Sequence, residues 1–407
     1  MNNIKRKNSL IVFTIIYTAL LIYGTLYPLT AIEFIPVNWS LAFENFLSAT
    51  SSKSDLLTNA IIYLPFGFLL FRTLYFDKPK KVGIGAVFLF GFLLSASLEF
   101  TQLYLAHRTT SLVDLSLNSL GAFLGAIIAF NVTASSSLGK HLIGWKKTLF
   151  IEHYATSLGL LVILFWSFSQ LMPLVPAISW SFIKESIKPM LHTMIGERPL
   201  DYFKFIYYIF SFSSIGLILS IMLKKHHSTP LIFFFFIVFI LTSKIVVIDR
   251  QLSFEALCAA FLSILIIAIT ENSTIKKRVL FGLFFILTSL LANELAPVLG
   301  RNLNSFAWIP FVSQMKDVMG MLDLVIGMWP YMCIAFFLSI YSQSQKMMFL
   351  GGFAILMLSI FLEFSQTNIA GRYPDMTDII MAMSGWILYF YVLITLQNNK
   401  KQKNTQT

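Results

Sequence analysis

Apolar segments of about twenty residues recur along the whole chain, and a helix of that length crosses a hydrocarbon core of roughly 30 Å. They lie at Ser9–Tyr27, Leu56–Tyr75, Gly83–Leu105, Leu112–Phe130, Thr148–Gln170, Tyr202–Leu223, Leu231–Ile248, Phe254–Thr270, Leu280–Leu295, Val318–Tyr341, Met347–Thr367 and Met376–Thr395. The segments are continuously apolar and not alternating, so helices are expected and not a β-barrel. Of 407 residues, 57% are hydrophobic and 12% charged, against roughly a quarter charged in soluble chains. The expected fold is all-α, a polytopic membrane helical bundle of about twelve transmembrane helices.

The basic residues are placed asymmetrically. Counting connections from the N-terminus, the two tails and the even-numbered links hold 19 of the 30 Lys and Arg; the odd-numbered links and nearby helix ends hold 11. Short even links such as Asp77-Lys78-Pro79-Lys80-Lys81 are densely basic. Both termini are therefore expected in the cytoplasm, with the chain in the inner (cytoplasmic) membrane. The formal charge of +11 is explained by topology and anionic-lipid contact, so no nucleic-acid partner is expected. The first apolar run follows Lys5, Arg6 and Lys7 but lacks a small-residue cleavage site after it, which favours an uncleaved first helix. Cys258 and Cys333 both lie in apolar segments, which argues against a disulfide framework or a thiolate metal site. No metal or cofactor is expected.

The pattern repeats. Tyr27-Pro28, Met172-Pro173 and Ala296-Pro297 each break an apolar segment, and each is followed by a long link containing a tryptophan: Trp39, Trp180 and Trp308. Three apolar segments with short links then follow. This predicts three four-helix units, at 1–140, 141–272 and 273–407. Four helices is an even number, so the copies are expected to be parallel repeats and not inverted ones. Glu99, Gln102, Arg108 and Asp114 in the first unit have the same spacing as Glu363, Gln366, Arg372 and Asp378 in the third, E-x2-Q-x5-R-x5-D. The middle unit keeps Arg250 but has Leu241, Lys244 and Ala256 at the other three places, and reads as a degraded copy.

Ionisable residues in bilayer segments need a partner or a function. Glu99 and Gln102 are i, i+3; Asp114 and Asn118 are i, i+4; Asp55 and Asn59 are i, i+4. All fall near the expected outer ends of their helices, so Asn59, Glu99, Gln102, Arg108, Asp114 and Asn118 are the candidate ligand-binding or acid/base residues. Glu363, Gln366, Arg372 and Asp378 are their counterparts. A purely structural arrangement is also open: Arg108 bridging Glu99 and Asp114, with the amides filling the remaining hydrogen bonds. Asp114 or Ser111 is a candidate helix cap. Pro65, Gly67 and the Gly121-x3-Gly125 pair read as bend and close-packing positions.

From Asp55-Leu56-Leu57-Thr58-Asn59 through Pro65-Phe66-Gly67, and again at Leu98-Glu99-Phe100-Thr101-Gln102, Arg108 and Asp114-Leu115-Ser116-Leu117-Asn118-Ser119-Leu120-Gly121, the chain resembles the VanZ-like family. The resemblance is close over 55–130 and looser over 320–395. That family is named for a protein associated with low-level teicoplanin resistance, and its biochemical activity is unsettled. The motif residues fall here on Asn59, Pro65, Gly67, Glu99, Gln102, Arg108, Asp114, Asn118 and Gly121. The third unit keeps Pro330 opposite Pro65 but has Leu324 opposite Asn59 and Ala382 opposite Asn118. It retains the charges and loses the amides.

Three functional readings follow. The first is a cell-envelope protein binding an amphiphilic ligand at the outer leaflet, either a lipid-linked cell-wall precursor or a lipoglycopeptide, with Arg108 pairing a phosphate or carboxylate. The second is a membrane-embedded enzyme on a lipid-linked phosphate or glycan, with Glu99 or Asp114 as general base. No nucleophile elbow, P-loop or His/Cys metal motif supports it. The third is a transporter, which a mid-membrane site would favour.

Overall fold

The computed structural model describes residues 10–11, 13–15, 17–19, 21–22, 25–26, 39–48, 53–76, 81–105, 110–132, 137–172, 180–298, 302–312, 314 and 320–404. Among these, the regular structure is helical, and the only β features are two isolated bridges, Phe150 with Leu223 and Ala307 with Asp375. The described residues between 10 and 26 are helical. Fourteen helices follow: α1 (Trp39–Ser48), α2 (Lys53–Leu74), α3 (Val82–Gln102), α4 (Leu112–Asn131), α5 (Ser137–Leu149), α6 (Tyr154–Leu171), α7 (Trp180–Met194), α8 (Tyr202–Met222), α9 (Thr229–Val246), α10 (Phe254–Thr270), α11 (Ile275–Glu294), α12 (Gly320–Tyr341), α13 (Gln345–Gln366) and α14 (Met376–Asn404).

Eight of the described helices are long and apolar enough to cross a membrane, and α2 and α10 contain shorter apolar helices. The outward faces fit that medium. Helix α13 exposes Phe349, Leu350, Phe353 and Phe361 along one side, and α9 exposes Phe235 and Phe239. Such a stripe would be a large apolar patch in water, whereas lipid tails cover it. Three helices were not anticipated: α1, α5 and α7 lie inside connections, and each exposes a tryptophan, Trp39, Trp145 or Trp180. The segment expected from Thr148 begins at Tyr154. Phe150 is held in a bridge to Leu223, and His153 caps the helix by accepting the Ala155 N–H.

The chain divides into two compact units, 1–146 and 147–407. In the first, α2 and α4 cross almost backbone to backbone. A Cβ added at Gly121 would fall 2.2 Å from the Ala60 carbonyl oxygen, and one at Gly125 would fall 2.0 Å from that of Leu64. Glycine is the residue that permits this approach. The 10–26 stretch is tied to α2 by the Tyr17 hydroxyl donating to the Ile62 carbonyl at 2.8 Å, and by the Thr14 and Thr73 hydroxyls, also 2.8 Å apart.

In the second unit α8 is central and buried continuously from Ser211 to Met222. Helix α11 packs on α8, and α6 packs on α12. The helix that opens each of the expected later repeats therefore lies against the second helix of the other. These cross-packed helices join 147–272 to 273–407, and one compact body contains both. At one end Arg278 joins three segments, donating to the carbonyls of Ser273, Ser220 and Glu271 at 3.0, 2.9 and 2.8 Å.

Candidate functional site

In the first unit, Asn59 and Tyr63 lie one turn apart on α2, Ser95 and Glu99 one turn apart on α3, and Asp114 and Asn118 one turn apart on α4. The crossing that Gly121 and Gly125 permit brings α2 against α4, and α3 packs on α4 where Gly91 meets the Ala122 methyl group. Asn59 Nδ2 donates to Asp114 Oδ1 at 2.8 Å, and Asn118 Nδ2 to Ser95 Oγ at 2.9 Å. Glu99 is buried, and its Oε2 accepts the Ser111 backbone N–H at 3.0 Å. Ser111 Oγ in turn accepts from the Val113 and Asp114 N–H groups, so Ser111 and not Asp114 caps α4. Gln102 Nε2 donates to the Thr25 carbonyl at 2.9 Å. Arg108 and His107 lie outside the described residues.

Among the described residues, the buried Asn118 Oδ1 has no hydrogen-bond partner, and the buried Tyr63 Oη has only the Ser95 side chain near it. Both sit around Ser95, and Glu99 is close enough to Tyr63 to act on it electrostatically. A buried polar atom left unsatisfied costs about 1–3 kcal/mol. Tyr63 and Ser95 were not anticipated from the sequence. The available signal was their place one turn along from Asn59 and one turn back from Glu99 on the same helix faces.

The third segment repeats part of this geometry. Glu363 Oε2 accepts the Asp375 N–H at 2.9 Å, again twelve residues downstream, and Asp375 Oδ1 accepts the Thr377 N–H at 2.8 Å as a cap. Gln366 Nε2 donates to Glu294 Oε2 at 2.9 Å and to Glu363 Oε1 at 3.2 Å. Arg372 Nε donates to the Ala296 carbonyl at 2.9 Å. Asp378 is close enough to act on Tyr331. The ion pairs among the described residues are Lys147–Glu152, Lys188–Glu185 and His192–Glu197, so Arg372 does not bridge Glu363 and Asp378. Glu294 and Asp375 belong to this cluster, and E-x2-Q-x5-R-x5-D does not include them.

The middle segment shares some of these attachments with different chemistry, and has Leu241 in place of the glutamate. Arg250 Nε donates to the Met172 carbonyl at 2.7 Å, Lys244 Nζ to Gln170 Oε1 at 2.6 Å, and Ser253 caps α10 through the Ala256 N–H at 3.3 Å. Arg250 and Arg372 thus each bind the carbonyl just before a proline, Pro173 or Pro297. Gln102, Lys244 and Gln366 each reach the residue three places before such a proline: Thr25, Gln170 or Glu294.

No group of three or more His, Cys, Asp or Glu able to hold a metal occurs among the described residues.

Residues 11–133 match the family model described as VanZ/LLP1. Over 78 residues the chain is 33% identical to Protein VanZ of Enterococcus faecium, an alignment covering 19% of this chain and 45% of that protein. The chain thus spans less than half the length of the curated relative it matches. No solved structure matches. The part of the chain similar to VanZ/LLP1 proteins is therefore 11–133, the stretch that contains Asn59, Glu99, Gln102, Arg108, Asp114 and Asn118.

Proposed function

We propose that this chain is a multi-pass protein of the cytoplasmic membrane made of three parallel four-helix repeats, 1–140, 141–272 and 273–407, with both termini cytoplasmic. The recurring attachments support the repeat. In all three a glutamine or lysine binds the residue three before the proline break and a Ser or Asp caps the fourth helix, and in the second and third an arginine binds the carbonyl just before the proline. The basic links support the orientation.

The first repeat binds an amphiphilic ligand near the outer leaflet, a lipid-linked cell-wall precursor or a lipoglycopeptide, and serves the cell envelope in glycopeptide resistance. The likeness of 11–133 to the VanZ/LLP1 model supports the resistance link. The single observation that carries the binding reading is the buried Glu99 in a cluster with Tyr63 and Asn118, whose Oδ1 has no hydrogen-bond partner among the described residues. A polar headgroup placed there would supply the missing hydrogen bond, and Arg108 would pair its phosphate or carboxylate.

Mass analysis of lipids co-purifying with the wild-type chain and with Glu99→Gln tests this reading, alongside teicoplanin susceptibility of cells expressing each. The glutamine keeps an oxygen for the Ser111 N–H, so thermal stability should change by less than about 1 kcal/mol. Expected is a selective loss of one amphiphile and of any resistance. A well-folded Glu99→Gln protein with an unchanged lipid profile and unchanged susceptibility would refute the site.

A further inference from the structure

Two helices carry an exposed apolar stripe that ends beside a polar cluster. On α3, Leu89, Leu93 and Phe100 are exposed along one side; on α13, Phe353, Met357, Phe361 and Phe364 are. Both helices are long and apolar enough to cross a membrane. Phe100 directly follows Glu99, and Phe364 directly follows Glu363. Each stripe therefore ends at the depth of its own buried carboxylate.

A tryptophan from the preceding long connection sits at the end of each stripe. In the first unit the Trp39 ring lies 6.4 Å from the Phe100 ring with the planes 25° apart, and Tyr104 lies 5.6 Å from Phe100. In the third segment Phe306 stacks on Phe364 at 5.0 Å, and Trp308 lies 4.6 Å from Phe306 and 6.2 Å from Phe364. The main chain holds Trp308 there: the neighbouring Ala307 donates its N–H to the Pro374 carbonyl at 2.8 Å and accepts the Met376 N–H at 3.0 Å. Trp39, Phe100, Trp308 and Phe364 all stay exposed. The middle segment has Thr242 where the others have this phenylalanine, and its Trp180 ring faces Lys184 Nζ at 5.8 Å instead.

Helix α1 extends the first of these surfaces. Trp39, Phe43 and Leu47 are exposed at successive turns of one face, and Ser40 and Glu44 are exposed beside it. Tryptophan and tyrosine concentrate where hydrocarbon gives way to headgroups, and an amphipathic helix can lie in that plane. Continuity identifies what covers this face. It begins at Trp39, on the ring that ends the lipid-facing stripe of α3, so the medium that covers Leu89 and Leu93 also reaches α1.

We propose that these aromatic stacks dock the two connections onto the phospholipid surface, with α1 lying in the plane of the membrane and Trp39, Phe43 and Leu47 among the upper acyl chains. The partner is lipid, and the stacks set the depth at which the connections lie.

The full chain is placed in nanodiscs of phosphatidylcholine and phosphatidylglycerol that include a phosphatidylcholine with a diazirine high on its acyl chain. Photolysis, digestion and mass spectrometry read the residues that lipid touches, and hydroxyl-radical footprinting of the same nanodiscs reads those that water reaches. Wild type should carry lipid label on Trp39, Phe43 and Trp308 as well as on Phe353, with the three protected from radicals. Label on Phe353 but none on Trp39 and Phe43, or none on Trp308, overturns the proposal. Protection from radicals without lipid label assigns the face to a second copy of the chain and also overturns it. Phe43→Glu puts a charge on the apolar face of α1 at an exposed position. It should lower the label on Trp39 several-fold and leave Trp308 unchanged. A folded Phe43→Glu protein with wild-type label on Trp39 overturns the placement of α1. Should that variant fail to fold, the wild-type pattern decides by itself.

Discussion

The first and third segments place a glutamate in the same backbone setting and surround it differently. Glu99 and Glu363 each accept the N–H twelve residues downstream, at 3.0 and 2.9 Å. Around Glu363 the polar groups close on one another: Gln366 bridges it to Glu294, and Asp375 accepts from Thr377 and from Gln314 Nε2. Around Glu99 they close less fully among the described residues, since Asn118 Oδ1 has no partner there. The contrast is one of side-chain content on a shared backbone attachment. A cluster that satisfies itself needs nothing more to be stable, whereas one with open valences suits a ligand. The shared spacing presents the two as equivalent sites, although Leu324 and Ala382 already stand in the third segment where the first has Asn59 and Asn118.

The largest expected effects test the packing that the two regions share. Gly125 faces the Leu64 carbonyl, and Gly385 on α14 faces the Met328 carbonyl on α12 at 2.5 Å from an added Cβ. Gly125→Ala and Gly385→Ala should each destabilise the chain by about 1–3 kcal/mol or more, because backbone oxygens cannot rotate away. Gly85 has nothing within 4 Å of an added Cβ. Gly85→Ala should be neutral or stabilising by up to ~1 kcal/mol through helix propensity. Thermal unfolding in detergent measures all three. Equal effects at Gly125 and Gly85 would mean that the α2–α4 crossing is looser than described.

A smaller effect tests the arginine attachments of the second compact unit. Arg250 and Arg372 each hold the carbonyl before a proline, at 2.7 and 2.9 Å. Arg250→Ala and Arg372→Ala should cost similar amounts, about 1.5–3 kcal/mol, the range for hydrogen bonds to charged groups. A large loss from one and none from the other would break the equivalence of the two segments.

Much of this architecture was legible in the sequence. Apolar length located the helices, because the bilayer fixes that length and backbone hydrogen bonds must close within each segment. Gly121 and Gly125 were legible as packing positions because a small-x3-small pair has one common physical use. Three things were not legible. The cross-packing of 147–272 with 273–407 depends on which apolar faces meet, and a segment apolar on nearly every side carries no directional pattern. Helices α1, α5 and α7 lie in links whose composition is mixed. Tyr63, Ser95 and Glu294 each look ordinary alone and matter through neighbours distant in sequence. Arg108 was open between pairing a ligand and bridging Glu99 to Asp114, and it lies outside the described residues; its counterpart Arg372 binds a main-chain carbonyl, a partner that no side-chain motif encodes.

The smallest expected effects concern the caps, and they test whether the first, middle and third segments form a graded series. Asp375 accepts the Thr377 N–H and hydroxyl, both at 2.8 Å, as well as Gln314 Nε2. Ser111 accepts two N–H groups at 3.2 and 3.4 Å, and Ser253 accepts one at 3.3 Å. Loss of an N-cap costs about 0.5–2 kcal/mol. Asp375→Ala should therefore lie at the top of that range, Ser111→Ala near its middle and Ser253→Ala at its foot. Each substitution keeps its own backbone N–H, so Ser111→Ala leaves the bond to Glu99 available and should spare ligand retention while lowering stability. Hydrogen exchange at the Val113, Asp114 and Ala256 amides reads the caps directly, and thermal unfolding reads their cost. Faster exchange at Val113 and Asp114 with unchanged ligand retention would separate the cap from the carboxylate. If Ser253→Ala cost as much as Asp375→Ala, the number of satisfied donors would not set the cap's strength, and the contrast between open and closed clusters would lose its energetic basis.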